Sequence, residues 1–184
     1  QVYLHKTVLA AEKMLVKILE RVRAIYRPGD DALYTQSAVD FFLGEFNGVM
    51  NAAALDKFCS LDDHDIIHAI KRWSLHPDKA LSLLCHGMLN RQLYKTRIQT
   101  APFEPAYIAS QLEQISKRFH ISAEESSYLC FTGEATNTLY KTIDEKINIL
   151  FKDGSVRDIS EVDNTLIHQN LSAPVKKNYI CLFR

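Results

Sequence analysis

His64-Asp65-Ile66-Ile67-His68 is the stretch whose side chains could do chemistry most directly. Two imidazoles and a carboxylate within five residues are the ligand types that hold a divalent ion and let it activate water against a phosphoester. A spacing of four places both imidazoles on one face of a helix. At about 100° per residue, however, Ile66, Ile67, Ile70 and Trp73 gather on the other side, so the histidines are expected to point at solvent. A metal centre also needs ligands converging from elsewhere, and only Cys59, Cys85 and His86 stand near in sequence, with unconvincing spacing. No metal ligand and no catalytic residue is therefore assigned in this chain, and the two histidines are read as part of a capped, exposed helix start.

Other motifs carry less chemistry. Asp153-Gly154 lacks the regularly spaced oxygens of a calcium loop and reads as a hairpin turn, where glycine accepts the positive φ required. Cys59, Cys85, Cys130 and Cys181 are far apart with no C-x-x-C pair, which argues against a zinc ribbon or a thioredoxin-type motif and sets a reduced, cytoplasmic location as the expectation. Nothing resembles a nucleophile elbow or a glycine-rich phosphate loop.

The elements that must position any site begin with one long amphipathic helix, Gln1 to Ile25. Leu4, Val8, Ala11, Leu15, Ile18, Val22 and Ile25 alternate at spacings of four and three and form a seam that needs cover. Lys6, Glu12, Lys13, Lys17, Glu20, Arg21 and Arg23 form the water-facing side. Pro28 and Gly29 end the helix. No capping signal precedes Val2, so the chain is expected to be the later part of a longer protein.

Ala38 to Leu43 reads as a short helix, continued weakly through Phe46. Ser60 and Asp63 suggest a capping box for a helix running to Trp73. Pro77 fits the first turn of the next helix, whose buried stripe is Leu81, Leu84 and Met88. Pro102 and Pro105 mark a change of texture, and a boundary is placed near Ala101. Beyond it the spacing predicts a helix on Ile108, Leu112, Ile115 and Phe119. Strands are expected at Ser127 to Thr132, Ile147 to Phe151, Ser155 to Arg157 and Asn178 to Phe183, with a short helix over Asp158 to Leu166. The fold class is α+β: a mostly helical region, 1–100, followed by a C-terminal α+β subdomain, 101–184, with a small antiparallel sheet and flanking helices.

The 184 residues are 47% hydrophobic, and 22 basic against 22 acidic residues leave no net charge. Bulk electrostatics thus gives no argument for nucleic acid or an anionic membrane as partner. No apolar run approaches the ~20 residues needed to cross a bilayer.

Tyr3-Leu4-His5-Lys6, at the head of the long helix, resembles the Y-x-H-K segment of the HD-domain metal-dependent phosphohydrolases, similar to SAM and HD domain-containing deoxynucleoside triphosphate triphosphohydrolases. Four further features fall in the family's order: Leu61-Asp62-Asp63 opening a helix, Arg91 near the end of the next, Ile143-Asp144 before Ile147 to Lys152, and Lys176 to Cys181. They cover nearly the whole chain. The match is looser from Ala32 to Lys57 and from Thr96 to Tyr128, so specificity for deoxynucleotides is not carried over.

The resemblance implies a catalytic half with its divalent metal upstream of Gln1. This segment, alone, is then expected to be inert, with region 1–100 completing the HD-type domain. It further implies that Tyr3 lines the substrate pocket, where a phenol can stack on or hydrogen-bond a nucleotide sugar. His5, Lys6 and Lys152 resemble residues that contact the phosphates of a regulatory nucleotide at subunit interfaces, which implies a homo-oligomer. From the residues themselves, Tyr3 is equally an aromatic packed at a helix start, and His5, Lys6 and Lys152 are equally solvated surface charges. Two functions follow: part of a phosphohydrolase acting on nucleotides or related phosphate esters, or a non-catalytic nucleotide-sensing or oligomerisation module, motivated by the seam with no evident cover.

Overall fold

The computed structural model describes residues 5–137, 147–158 and 175–184. Within them lie seven helices and five strands in an α+β arrangement. The first helix, α1, runs Lys6–Ile25, and its chain turns away at Tyr26, whose N–H still donates to the Val22 carbonyl at 2.8 Å. Pro28 follows, where no N–H is left to continue the ladder.

The buried stripe of α1 differs from the expected seam. Leu9, Ala10, Met14, Ile18, Arg21 and Val22 are buried, whereas Val8 is 53% exposed. Leu15, Leu19 and Ile25 are only partly buried. The physical reason is that the aliphatic pattern marks a broad stripe. Its centre is fixed by Met14 and by Arg21, which an aliphatic count overlooks or assigns to water. The stripe is also not bare: α1 packs on α5 (Lys79–Leu89) and on strand β1 (Lys95–Gln99) within the same chain.

Caps set the boundaries that follow. Helix α2, Ala38–Gly44, starts on a reciprocal capping box between Ser37 and Asp40. A separate helix, α3 (Ala52–Cys59), starts at Asn51, whose side chain accepts from Ala54 N–H at 2.9 Å. Ser60, expected to cap the next helix, instead closes α3, and the capping box of α4 (Asp63–Trp73) is made by Asp62 and Asp65. Trp73 is fully buried, and its Nε1 donates to the Leu33 carbonyl at 2.9 Å. Pro77 lies just ahead of α5, which is capped by Asp78.

Helix α6, Pro105–Phe119, stops at His120, which adopts a left-handed conformation with φ +52°. Helix α7, Ala123–Leu129, is opened by a Ser122/Glu125 capping box, so Ser127 to Leu129, expected as strand, are helical. Strand β2, Cys130–Asn137, begins only afterwards.

Strand β5, Val175–Leu182, is the centre of an antiparallel sheet of order β1-β5-β2. Its Cys181 faces Thr96 of β1 on one side and Phe131 of β2 on the other. A separate hairpin pairs β3 (Asn148–Leu150) with β4 (Val156–Asp158), and Gly154 in its turn has φ +83°, as the Asp153-Gly154 pair demands. The expected helix over Asp158 to Leu166 lies, beyond Asp158, outside the described residues, as does Ile143-Asp144. One hydrophobic cluster, including Met14, Ile18, Trp73, Leu81, Leu84, Leu129 and Ile180, joins helices α1, α4, α5 and α7 to the sheet. None of the described helices is long and apolar enough to cross a membrane.

Candidate functional site

The residues selected from the sequence fall on two elements. His5 and Lys6 stand at the start of α1, and Lys152 stands in the β3–β4 turn; all three are exposed. Tyr3 lies outside the described residues.

At the head of α1, His5 is the N-cap: its Nδ1 accepts from Thr7 N–H at 3.3 Å. An imidazole that accepts at Nδ1 carries its proton at Nε2, so the ring presents a donor away from the helix. Lys6 is the first helical residue and places an ammonium where the helix dipole is already positive. No acidic residue lies in the first turn, in contrast to α2, α4 and α7. The combination opposes helix stability and suits an anion.

In the hairpin, the turn is held by Gly154 N–H donating to the Phe151 carbonyl at 3.0 Å and by Asp153, whose carboxylate accepts from Ser155 N–H at 2.9 Å and Ser155 Oγ at 2.7 Å. Those bonds hold the Asp153 carboxyl below its usual range. Lys152 is therefore carried on an ordered turn. The guanidinium of Arg157, on the returning strand, sits 5.4 Å from the centre of the Phe151 ring, a second cation near this turn that the sequence reading did not select.

Arg21, assigned to solvent in the sequence reading, is instead the clamp that fixes α1. Its Nε and Nη2 donate to both oxygens of Asp78 at 3.1 and 2.7 Å, and its Nη1 donates to Glu124 at 2.8 Å. The guanidinium also lies 5.1 Å from the Tyr128 ring centre. These contacts tie α1 to the caps of α5 and the first turn of α7. Burial alone would raise the Asp78 carboxyl, but hydrogen bonds from Arg21 and from Leu81 N–H, with the Arg21 charge, outweigh it and leave the group below its ordinary value. The signal in the sequence was weak: an arginine in register with aliphatics at three and four spacing.

His64 and His68 do point to solvent. His64 is 94% exposed and its Nδ1 is 3.5 Å from Asp62, the cap of its own helix. Among the described residues no three His, Cys, Asp or Glu side chains converge as a metal-ligand set.

No family model matches the chain. It is 26% identical over 167 residues to the uncharacterized protein YwfO of Bacillus subtilis (strain 168), covering 87% of this chain and 36% of that protein. It superimposes on the crystal structure of a phosphohydrolase (BT4208) of Bacteroides thetaiotaomicron VPI-5482 with a TM-score of 0.83 and 37% sequence identity, over 99% of this chain and 46% of the other. The chain thus shares the fold of part of that phosphohydrolase while spanning less than half the length of either protein.

Proposed function

We propose that this chain is the C-terminal portion of an HD-type, divalent-metal-dependent phosphohydrolase of the cytoplasm, acting on nucleotides or related phosphate esters, with the metal-binding residues in the part of the protein ahead of it. The observation that carries the reading is the 37% identity and TM-score of 0.83 with a phosphohydrolase over nearly all of the chain. In this role α1, clamped by Arg21, serves as a buttress. His5 donates from Nε2, and Lys6 and Lys152 supply ammonium groups, to the phosphates of a regulatory nucleotide held between subunits of a homo-oligomer, while Tyr3 lines the substrate pocket. The chain's own residues bind and orient; the metal, held elsewhere, supplies the activated water.

The competing reading, a non-catalytic sensing or oligomerisation module, drew on an uncovered seam along α1. Of that seam Ile18 and Val22 are fully buried within the chain and Leu15 and Ile25 partly so, which weakens the support, while Val8 stays 53% exposed.

The test is phosphate release by the full-length protein with divalent metal, from a panel of nucleotides and phosphate esters. Metal-dependent release from at least one member is expected. No release from any of them, by protein that is folded and metal-loaded, overturns the enzymatic reading.

A further inference from the structure

A cleft of about 230 Å³ opens between β1 and α6; its polar lining is Lys95, Arg97, Gln111, Gln114, Arg118 and Arg184, beside apolar Ile115, Leu182 and Phe183. Its construction follows from two periodicities. Lys95 and Arg97 alternate with buried Thr96, so both project from one face of β1. Gln111, Gln114 and Arg118 fall at three and four spacing on one face of α6. Packing that face beside the strand brings together four cations that are scattered in the sequence.

Three observations make this more than a solvated surface. Among the described residues no Asp or Glu side chain lines the cleft. The carboxylate of α6 closest to Arg118 in sequence, Glu113, is engaged by Lys117 at 2.6 Å, and none of the four cations forms an ion pair among the described residues. Arg97 is also pre-positioned: its Nη1 donates to the Tyr107 hydroxyl at 3.1 Å, and the Tyr107 ring stacks on Phe103. A chain with no net charge has thus gathered, in one concave place, positive charge that no described carboxylate pairs.

We propose that the cleft between β1 and α6 binds the phosphoanhydride chain of a small polyphosphate ligand. Guanidinium groups at Arg97 and Arg118 match phosphate oxygens with forked donors, and Lys95 adds a compact charge. The cleft is smaller than the ~300–1,000 Å³ of sites that enclose a whole drug-sized ligand, so it grips the phosphates and leaves the rest outside. Four cations in one short cleft do not track an extended backbone, which disfavours a nucleic-acid strand. The site shares no residue with His5, Lys6 or Lys152 and does not depend on the hydrolase reading.

The test is protection of Lys95 from acylation in the full-length protein, read at that residue by mass spectrometry. The probes are inorganic tripolyphosphate, orthophosphate, a nucleoside triphosphate and a single-stranded oligonucleotide. Tripolyphosphate is expected to protect Lys95 at concentrations where orthophosphate does not. Protection by the nucleoside triphosphate at still lower concentration assigns the ligand to nucleotides, and equal concentrations assign it to the phosphate chain alone. The double variant Arg97→Gln, Arg118→Gln is expected to raise the half-protecting concentration about tenfold or more with melting unchanged. Unaltered Lys95 acylation at saturating tripolyphosphate, equal protection by orthophosphate, or stronger protection by the oligonucleotide overturns the proposal. The protection series uses unmutated protein, so it decides even where the variant fails to fold.

Discussion

Arg21 and Asp78, 57 positions apart, meet in a forked pair in which two N–H donors of one guanidinium reach the two oxygens of one carboxylate, at 3.1 and 2.7 Å. The same Asp78 oxygen that receives Nε also accepts from Leu81 N–H at 2.8 Å, so a single carboxylate both caps α5 and anchors α1. Both side chains are largely buried, at 7% and 13% exposure.

Breaking this pair leaves one charge stranded in a poorly solvated place. Arg21→Ala and Asp78→Asn are each expected to lower stability by about 3 kcal/mol. Arg21→Lys retains the charge but loses the fork and falls between. Equilibrium urea unfolding checks the order, and a double-mutant cycle gives the coupling between the two positions.

The pair also sets an acid limit. The folded-state Asp78 carboxyl lies below its ordinary 3.8. A depressed carboxyl contributes stability that is present above the unfolded value and lost as pH falls through the folded one. Stability is therefore expected to drop on acidification below about pH 4, and the drop is expected to be shallower in Asp78→Asn than in the unmutated protein. Unfolding curves collected from pH 6 downward measure both slopes.

Thiol chemistry separates the cysteines by depth. Burial pushes the Cys85 thiol up to about 12 and, with the neighbouring Cys181, the Cys130 thiol to about 11. Cys181 is also raised by burial, while Cys59 is exposed. At pH 8 a thiol reagent is expected to modify Cys59 in the native protein within minutes and the other three only on unfolding, since Cys59 is accessible while burial keeps the other three protonated and out of reach. Peptide mapping after timed labelling reads this directly.

Lys6 offers a dissociation of stability from binding. As the first residue of α1 it faces the positive end of the helix dipole with no acid in the first turn. Lys6→Glu is expected to stabilise the protein by about 0.5 kcal/mol while weakening binding of the proposed regulatory nucleotide, because the carboxylate suits the helix and repels phosphate. Melting temperature and nucleotide titration on the same variant check the opposite signs.

Much of the helical architecture was legible because caps and apolar spacing are local. Asp153-Gly154 specified its hairpin, and the Ile66/Ile70/Trp73 side of α4 told which way His64 and His68 point, although Ile67, counted on that side, lies one turn from His64 and is 47% exposed. The errors were local competitions. Ser60 and Asp62 are both good caps, and only the register of Ala69, Ile70 and Trp73 against the core selects Asp62. Ser122-x-x-Glu125 encoded α7, but the aromatic and apolar texture of Ser127 to Thr132 obscured it. Strand β1 was hidden because Lys95-Thr96-Arg97-Ile98-Gln99 is mostly polar, as suits an edge strand with one wet face. Arg21 left only its register with the aliphatics as a signal, and the cleft cations were not readable as a cluster, because their partners lie on elements distant in sequence.

Strands β1 and β2 bond to β5 and not to each other. Synthesis therefore delivers both flanking ribbons before the piece that unites them, and each presents an unsatisfied edge until Val175 to Leu182 arrives. During that interval the nascent polypeptide is open to pairing with foreign strands, which makes prompt insertion of this late segment a condition for avoiding aggregation.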